Sequence, residues 1–424
     1  MQALLGPLNE LAEFEEICRH KMDAPGMMKV SGCVNSQKSH MMYALSDGCR
    51  YKVIVCSSEV KAKQIYEEYS FLDTSTYQYP AKDLLFYQAD LRSKELTRQR
   101  MTVLQAVTTG EPLTVVTSFD AFMDALLTKE EISRQMVKIA YDSSLDLEAL
   151  KKTLVELGYD REAQIEGPGQ FAVRGGILDV YPLTEELPVR IELWGDEVDS
   201  IRTFDIETQR SIENLEEVTI SPAKEYPEEA KDGVSFLDYF PETQTLIFLD
   251  EPVRLLESGD GVEAEFIEAQ KKRIESGYEM EEGEAFIFPA KEILAKLNHY
   301  SSIGFFALDM RAKGLETRES YMIQTKSVSP YNGSFDMLTG DLKRLKRQGY
   351  RVVLLSGSRT RAKRLAEDLR DYNLSSYYSD DMDRQVEPGE IMTAYGYVAE
   401  GYEYPMLKFT VISETDIFGR VKKK

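Results

Sequence analysis

The sequence predicts an α/β protein in three parts: a parallel-sheet unit with crossover helices, a small α+β unit inserted into it, and a second, smaller α/β unit after it. Three observations carry this. Short apolar runs alternate with helical patterns from about 27 to 128, the period then shortens to alternating strands between about 131 and 222, and strand and helix alternation resumes afterwards. At 424 residues the chain also exceeds what one core holds at ~100–200 residues per domain, so two to four domains are expected.

In the first unit "MMKVSG", "YKVIVCSS" and "PLTVVTS" read as strands, and "SSEVKAKQIYEEYSFL" and "SKELTRQRMTVLQAVTTG" as helices. Between them "TYQYPAKDLLFYQADL" reads as a long aromatic loop. An amphipathic helix, "LDLEALKKTLVELG", then leads into "GQFAVRGGILDVYP", "PVRIELWGDEVDSIRTFD" and "EEVTISP". Split by Gly, Pro and Asp turns, these form an antiparallel or mixed sheet. "TQTLIFLDEPVRLLES" restores an apolar strand, a pair of acids and a helix, so the first unit resumes. Further on, "GSFDMLTGDLKRLKRQGYRVVLLSGSRTRAKRLAEDLRDYNL" is helix, strand, helix, with "KFTVISETDIFG" as a later strand. The units predicted are 1–130 with 222–315, an insertion at 131–221, a linker at 316–320 and a third unit at 321–424.

Composition narrows the function. No apolar run approaches the ~18 residues of a membrane span, and the acidic start "MQALLGPLNELAEFEE" lacks the basic flank of a secretory signal, so a cytoplasmic protein with no membrane partner is expected. Cys18, Cys33, Cys49 and Cys56 include no CxxC pair, and His20, His40 and His299 do not cluster, so neither a metal site nor a disulfide framework is expected. A net charge of -22 repels a phosphate backbone over most of the surface. The basic stretches Lys343, Arg344, Lys346, Arg347 and Arg359, Arg361, Lys363, Arg364 therefore read first as solvated helix faces rather than a nucleic-acid site.

One loop carries the spacing of nucleotide chemistry. "GCVNSQKS" places Gly32, four residues, then Gln37, Lys38 and Ser39, which is the phosphate loop GxxxxGK[ST] with its second glycine replaced. Such a loop needs a preceding strand, a following helix, converging backbone amides, a lysine for the β- and γ-phosphates and a hydroxyl for magnesium. Lys38 and Ser39 stand where they should, but a side chain at Gln37 hinders the close approach that glycine allows, at ~1 kcal/mol or more. Asp250 and Glu251, ending the strand "LIFLDEP", stand where magnesium-binding acids would. The plainer reading makes Lys38 a solvated helix-start residue and Asp250 a strand-end turn acid. Together these residues describe a degenerate site, with an ATP-hydrolysing helicase-like subunit as the rival function.

The middle unit adds a resemblance. From Tyr159 to Ser211, "YDREAQIEGPGQFAVRGGILDVYPLTEELPVRIELWGDEVDSIRTFDIETQRS" resembles, long and ungapped, the UvrA-binding domain shared by the excision-repair protein UvrB and the transcription-repair coupling factor Mfd. The aromatic loop, the missing phosphate-loop glycine and the closing "GEIMTAYGYVAEGYEYPMLKFTVISETDIFGRVKKK" resemble the Mfd family, although Thr415 separates Glu414 from Asp416. The resemblance covers essentially the whole chain. It implies a UvrB-like fold with a degenerate phosphate-loop site, a third domain, and a chain that is most simply an N-terminal fragment. The family continues into an RNA-polymerase-binding domain, two ATP- and magnesium-dependent motor domains that act on duplex DNA, and a C-terminal autoinhibitory domain.

What the resemblance implies for this chain is recruitment of UvrA without catalysis or cofactor. The positions matching the UvrA contacts of UvrB are Arg161, Arg174, Arg190 and Glu192, whereas Ala172 stands where UvrB relatives have a further arginine. Strand geometry puts Arg190 and Glu192 on one face, and Arg174 precedes two glycines from which it can project, so a local positive patch suited to a partner's carboxylates is expected. Without the resemblance these would be ordinary surface ion pairs. Trp194, with Phe171 and Tyr181, reads as sheet core.

Overall fold

In the computed structural model, which describes residues 1–82, 90–224, 233–276 and 287–419, the first unit is a seven-stranded sheet. Its strands lie in the order Thr317–Met322, Gly26–Ser31, Ser301–Phe306, Thr245–Asp250, Tyr51–Cys56, Leu113–Ser118 and Thr76–Tyr79. Every pairing is parallel. Ser301–Phe306, Thr245–Asp250 and Leu113–Ser118 are buried throughout, as a parallel sheet covered on both faces requires. One face packs on helices Asp90–Thr109, Pro252–Glu275 and Ala290–Leu297 through Leu104, Val107, Leu255 and Ile293. The other packs on Ala12–His20, Asn35–Ala44 and Glu59–Tyr69 through Ile17, Met41, Met42 and Ile65.

Both edge strands escape sequence reading. Thr76–Tyr79 lies in the expected aromatic loop, of which residues 83–89 fall outside the described chain. Residues 316–320, expected as a linker, run into Thr317–Met322, which pairs with Gly26–Ser31. The reason is chemical: "TRESYM" is polar and largely exposed, with Tyr321 its one side chain packed on the apolar cluster, so no apolar pattern marks the strand. The third unit accordingly begins after Met322. The basic run Lys422–Lys424 lies outside the described residues.

The inserted unit is a six-stranded sheet ordered Ser211–Asn214, Glu197–Phe204, Val189–Trp194, Ile177–Tyr181, Gln170–Arg174 and Asp160–Arg161. All pairings are antiparallel except the last. Its core face, with Phe171, Leu178, Val180, Val189 and Ile191, packs with Leu150 and Leu154 of the helix Leu147–Glu156. Asp146 starts that helix by accepting from the backbone N–H groups of Glu148 and Ala149.

The third unit has Arg351–Ser356 at its centre, parallel to Phe409–Ser413 and Ile391–Tyr395, with Tyr402–Tyr404 antiparallel beyond the former. Helices Phe335–Arg347 and Arg359–Asp371 cover one side with Leu338, Leu342, Leu365 and Leu369. The residues opposite do not form a separate core. Val353, Leu355, Met392, Ala394, Tyr402 and Tyr404 belong to the same apolar cluster as Met41, Met42 and Ile65 of the first unit. Lys343 and Arg347 are exposed on the solvent face of their helix, and Arg344 pairs with Asp341. Among the described residues no helix is long and apolar enough to cross a membrane.

Candidate functional site

Two places gather the residues singled out by sequence. The first is the outer face of the inserted sheet. Register aligns Ala172, Asp179, Arg190 and Arg202 in one row across four strands, and Ile177, Glu192 and Ser200 in the next. Because strand side chains alternate, these residues face away from the core around Leu150 and Leu154, and Ala172 joins a small buried cluster with Ile165 and Phe204. Asp179, with a side chain 3% exposed, accepts hydrogen bonds from Arg174 Nη2 at 2.8 Å and from Arg190 Nε and Nη2 at 2.6 and 2.9 Å. Arg190 also donates to Gln209 Oε1 at 2.8 Å and lies 4.4 Å from the centre of the Phe204 ring. The Asp179 hydrogen bonds hold the Arg190 guanidinium still further above its ordinary pKa.

Arg190 is therefore a locked element of the face, its side chain only 15% exposed, whereas that of Arg174 is 53% exposed. Glu192 accepts from Ser200 Oγ at 3.1 Å and pairs with Arg202. Three guanidiniums against two carboxylates leave a smaller positive excess than the patch expected from arginines alone. Arg161 is exposed on the neighbouring edge strand.

Trp194 corrects the sequence reading. Phe171 is fully buried and Tyr181 half-buried, but Trp194 is 84% exposed. It ends the strand Val189–Trp194, four residues after Arg190 and two after Glu192, so it projects from the same face. The signal was present in that spacing, since the alternation that joins Arg190 with Glu192 also includes Trp194. Asp179 was not legible, because its place between two arginines depends on the register of three strands.

The second place is the phosphate-loop end of the first sheet. Gly32 follows Gly26–Ser31 with φ +85°, and a Cβ there would lie 2.7 Å from the Ile323 carbonyl oxygen. The glycine thus accommodates the chain's own segment. Lys38, expected on the plainer reading to be solvated, is buried, its side chain 4% exposed. Its Nζ donates to Asp250 Oδ1 at 2.8 Å and Glu251 Oε1 at 2.5 Å. Burial lowers the Lys38 pKa, but the two carboxylates outweigh it and leave it raised. Glu251 sits in the left-handed region at φ +51°, a strained conformation for a side-chain-bearing residue, and also accepts from the Ala307 N–H at 2.9 Å.

The rest of the loop is engaged as well. Ser36 and Ser39 donate to the two oxygens of Glu68 at 2.5 and 2.6 Å. Gln37, fully buried, donates to the Tyr404 hydroxyl at 2.9 Å, and the Val34 N–H donates to Thr325 Oγ1 at 3.1 Å. His40 meets the Tyr404 hydroxyl and the Leu4 carbonyl at 3.0 Å each, and burial holds its pKa down at about 4. The structure thus brings Gly32, Gln37, Lys38, Ser39, Asp250 and Glu251 together, with Lys38 paired to the acids that would otherwise face magnesium. Among the described residues no group of three or more His, Cys, Asp or Glu side chains could hold a metal ion.

A family profile described as the UvrB interaction domain matches residues 137–226, the inserted unit. The chain is 27% identical to the transcription-repair-coupling factor of Bacillus subtilis (strain 168), over 98% of this chain and 40% of that protein. It is 26% identical to that of Staphylococcus epidermidis (strain RP62A), over 83% of this chain and 34% of the relative. For Staphylococcus aureus (strain bovine RF122) the identity is again 26%, over 84% and 35%. The chain spans about two-fifths or less of the length of these curated relatives. A UvrB-like parallel-sheet unit, an inserted UvrB interaction domain and similarity over nearly the whole sequence make the chain a relative of the transcription-repair-coupling factors.

Proposed function

We propose that the chain is a UvrA-binding adaptor that recruits nucleotide-excision repair to stalled RNA polymerase and performs no catalysis itself. The observation that carries this is the outer face of the inserted unit, within the stretch matched by the UvrB interaction domain. It offers an exposed indole and a half-exposed arginine on one sheet face, with Asp179 bonded to arginines on both flanking strands. Trp and Arg are the residues most enriched among interface anchors, and a rigid sheet face presents them at little entropic cost. Arg174, Trp194 and exposed Arg161 would make the contact, while Arg190 and Glu192 support the face from below. On this reading polymerase and duplex DNA are engaged by other domains of the longer relatives, as is the ATP-driven motor.

The test is binding of purified UvrA to the full chain. Trp194 is the single tryptophan, so its emission should shift to the blue as UvrA buries it. Trp194→Ala and Arg174→Glu, both at exposed positions, should each weaken binding by roughly tenfold or more with circular dichroism unchanged. Absence of binding by the unmutated chain, or full binding by a folded double variant, would overturn the proposal. It also assigns no nucleotide to the loop: titrating magnesium-ATP should release no saturable heat, and saturable heat lost in Lys38→Met would favour the hydrolase reading.

A further inference from the structure

The phosphate-loop end of the first unit is covered by the third. Asn35 Nδ2, at the start of the helix Asn35–Ala44, donates to Glu400 Oε2 at 2.6 Å. The Glu400 N–H donates to Ser36 Oγ at 3.1 Å and the Ala399 N–H to Glu68 Oε1 at 3.0 Å. Tyr404 supplies the hydroxyl that meets Gln37 and His40, and Tyr402 stacks on His40 with ring centres 5.2 Å apart. A carboxylate thus reaches the first residue of the helix through the Asn35 side-chain amide, at the end where backbone dipoles favour an anion. Gln37, Lys38 and Ser39 are at most 3% exposed, Gln37 held by Tyr404 of this cover and Lys38 by Asp250 and Glu251, so a polyphosphate meets a filled loop while these contacts are in place.

We propose that residues 399–404 of the third unit are a built-in ligand of the degenerate phosphate loop, so that docking of the third unit and binding of nucleotide exclude each other. The third unit then has a definite task. Its carboxylate and tyrosine hydroxyl satisfy polar groups that a nucleotide would otherwise satisfy, and its apolar side completes the core shared with the first unit. Gln37 fits the same account, because the side chain that hinders phosphate is the one that holds Tyr404. This inference rests on the loop and does not depend on the partner of the inserted unit.

Hydrogen exchange on the full chain tests it. In the unmutated protein, amides of residues 34–39 and 399–404 should be protected and unchanged by millimolar magnesium-ATP. Glu400→Lys places a cation at the helix N-terminus and removes a charged acceptor, so both stretches should exchange faster together, by roughly tenfold or more, with the inserted unit unaffected. If that variant fails to fold, Tyr404→Phe should give the same paired change at smaller amplitude. The proposal is overturned if one stretch opens without the other, if neither responds, or if magnesium-ATP binds saturably while 399–404 stays protected.

Discussion

Replacing Lys38 by methionine distinguishes a structural lysine from a nucleotide-binding one. Lys38, Asp250 and Glu251 have side chains 4%, 3% and 23% exposed, so the ammonium group joins one buried and one partly solvated carboxylate. Lys38→Met keeps most of the side-chain volume but leaves both acids without their cation. Breaking a buried pair in this way costs ~3–5 kcal/mol, and partial solvation of Glu251 puts the expected loss toward the lower end of that range. Against a typical ~5–15 kcal/mol of total stability this is a large fraction. The assay is urea denaturation followed by far-ultraviolet circular dichroism, comparing the unmutated chain, Lys38→Met, and Lys38→Met with Asp250→Asn. The double variant should recover about half the loss, since it removes the most buried uncompensated charge. A working phosphate-loop lysine would behave oppositely, with stability unchanged and nucleotide affinity lost. If Lys38→Met unfolds within about 1 kcal/mol of the unmutated chain, the reasoning fails.

Three further outcomes follow from the same geometry. His40 titrates at about 4 in the fold against an ordinary 6.5. Its contribution to stability is therefore full above pH ~6.5 and is lost as pH falls through about 4, by up to about 3 kcal/mol, and His40→Gln should flatten that part of a denaturation series. Gly32→Ala, at φ +85° and with its new Cβ 2.7 Å from the Ile323 oxygen, should lose ~1–3 kcal/mol in a thermal melt; an unchanged midpoint would show that the Ile323 segment is free to move. Asp179→Ala should cost ~3 kcal/mol or more by leaving Arg190 without its carboxylate, and should weaken UvrA binding by freeing both Arg190 and the anchor Arg174 while leaving Trp194 in place; retained binding would count against the supporting role of Asp179.

Much of the fold was legible because its signals are local. The buried strands of the first sheet are continuous apolar runs, whereas Val189–Trp194 of the inserted sheet alternates, so the change of period separated the two units. The edge strand Thr317–Met322 was not legible, since a polar edge carries no such pattern. For the candidate sites, strand alternation placed Arg190 and Glu192 on one face. The same rule would have placed Trp194 there, had its aromatic character not suggested core. Spacing identified Gly32, Lys38 and Ser39 as loop residues, and chain order put Asp250 and Glu251 at a strand end. Nothing in the sequence indicated that Lys38 would be buried between those two acids.

By itself the sequence determined the class and order of the units, the resemblance of the inserted one, and the loss of the glycine that a phosphate loop needs. These follow from short-range steric and hydrophobic periodicity, which every segment carries in its own residues. Only the tertiary structure decided what fills the loop and what each charge faces. Lys38 meets Asp250 across 212 positions and Asn35 meets Glu400 across 365. Such pairs are set by which sheet ends and helix termini are packed together, and a buried charge must find a partner wherever that packing supplies one.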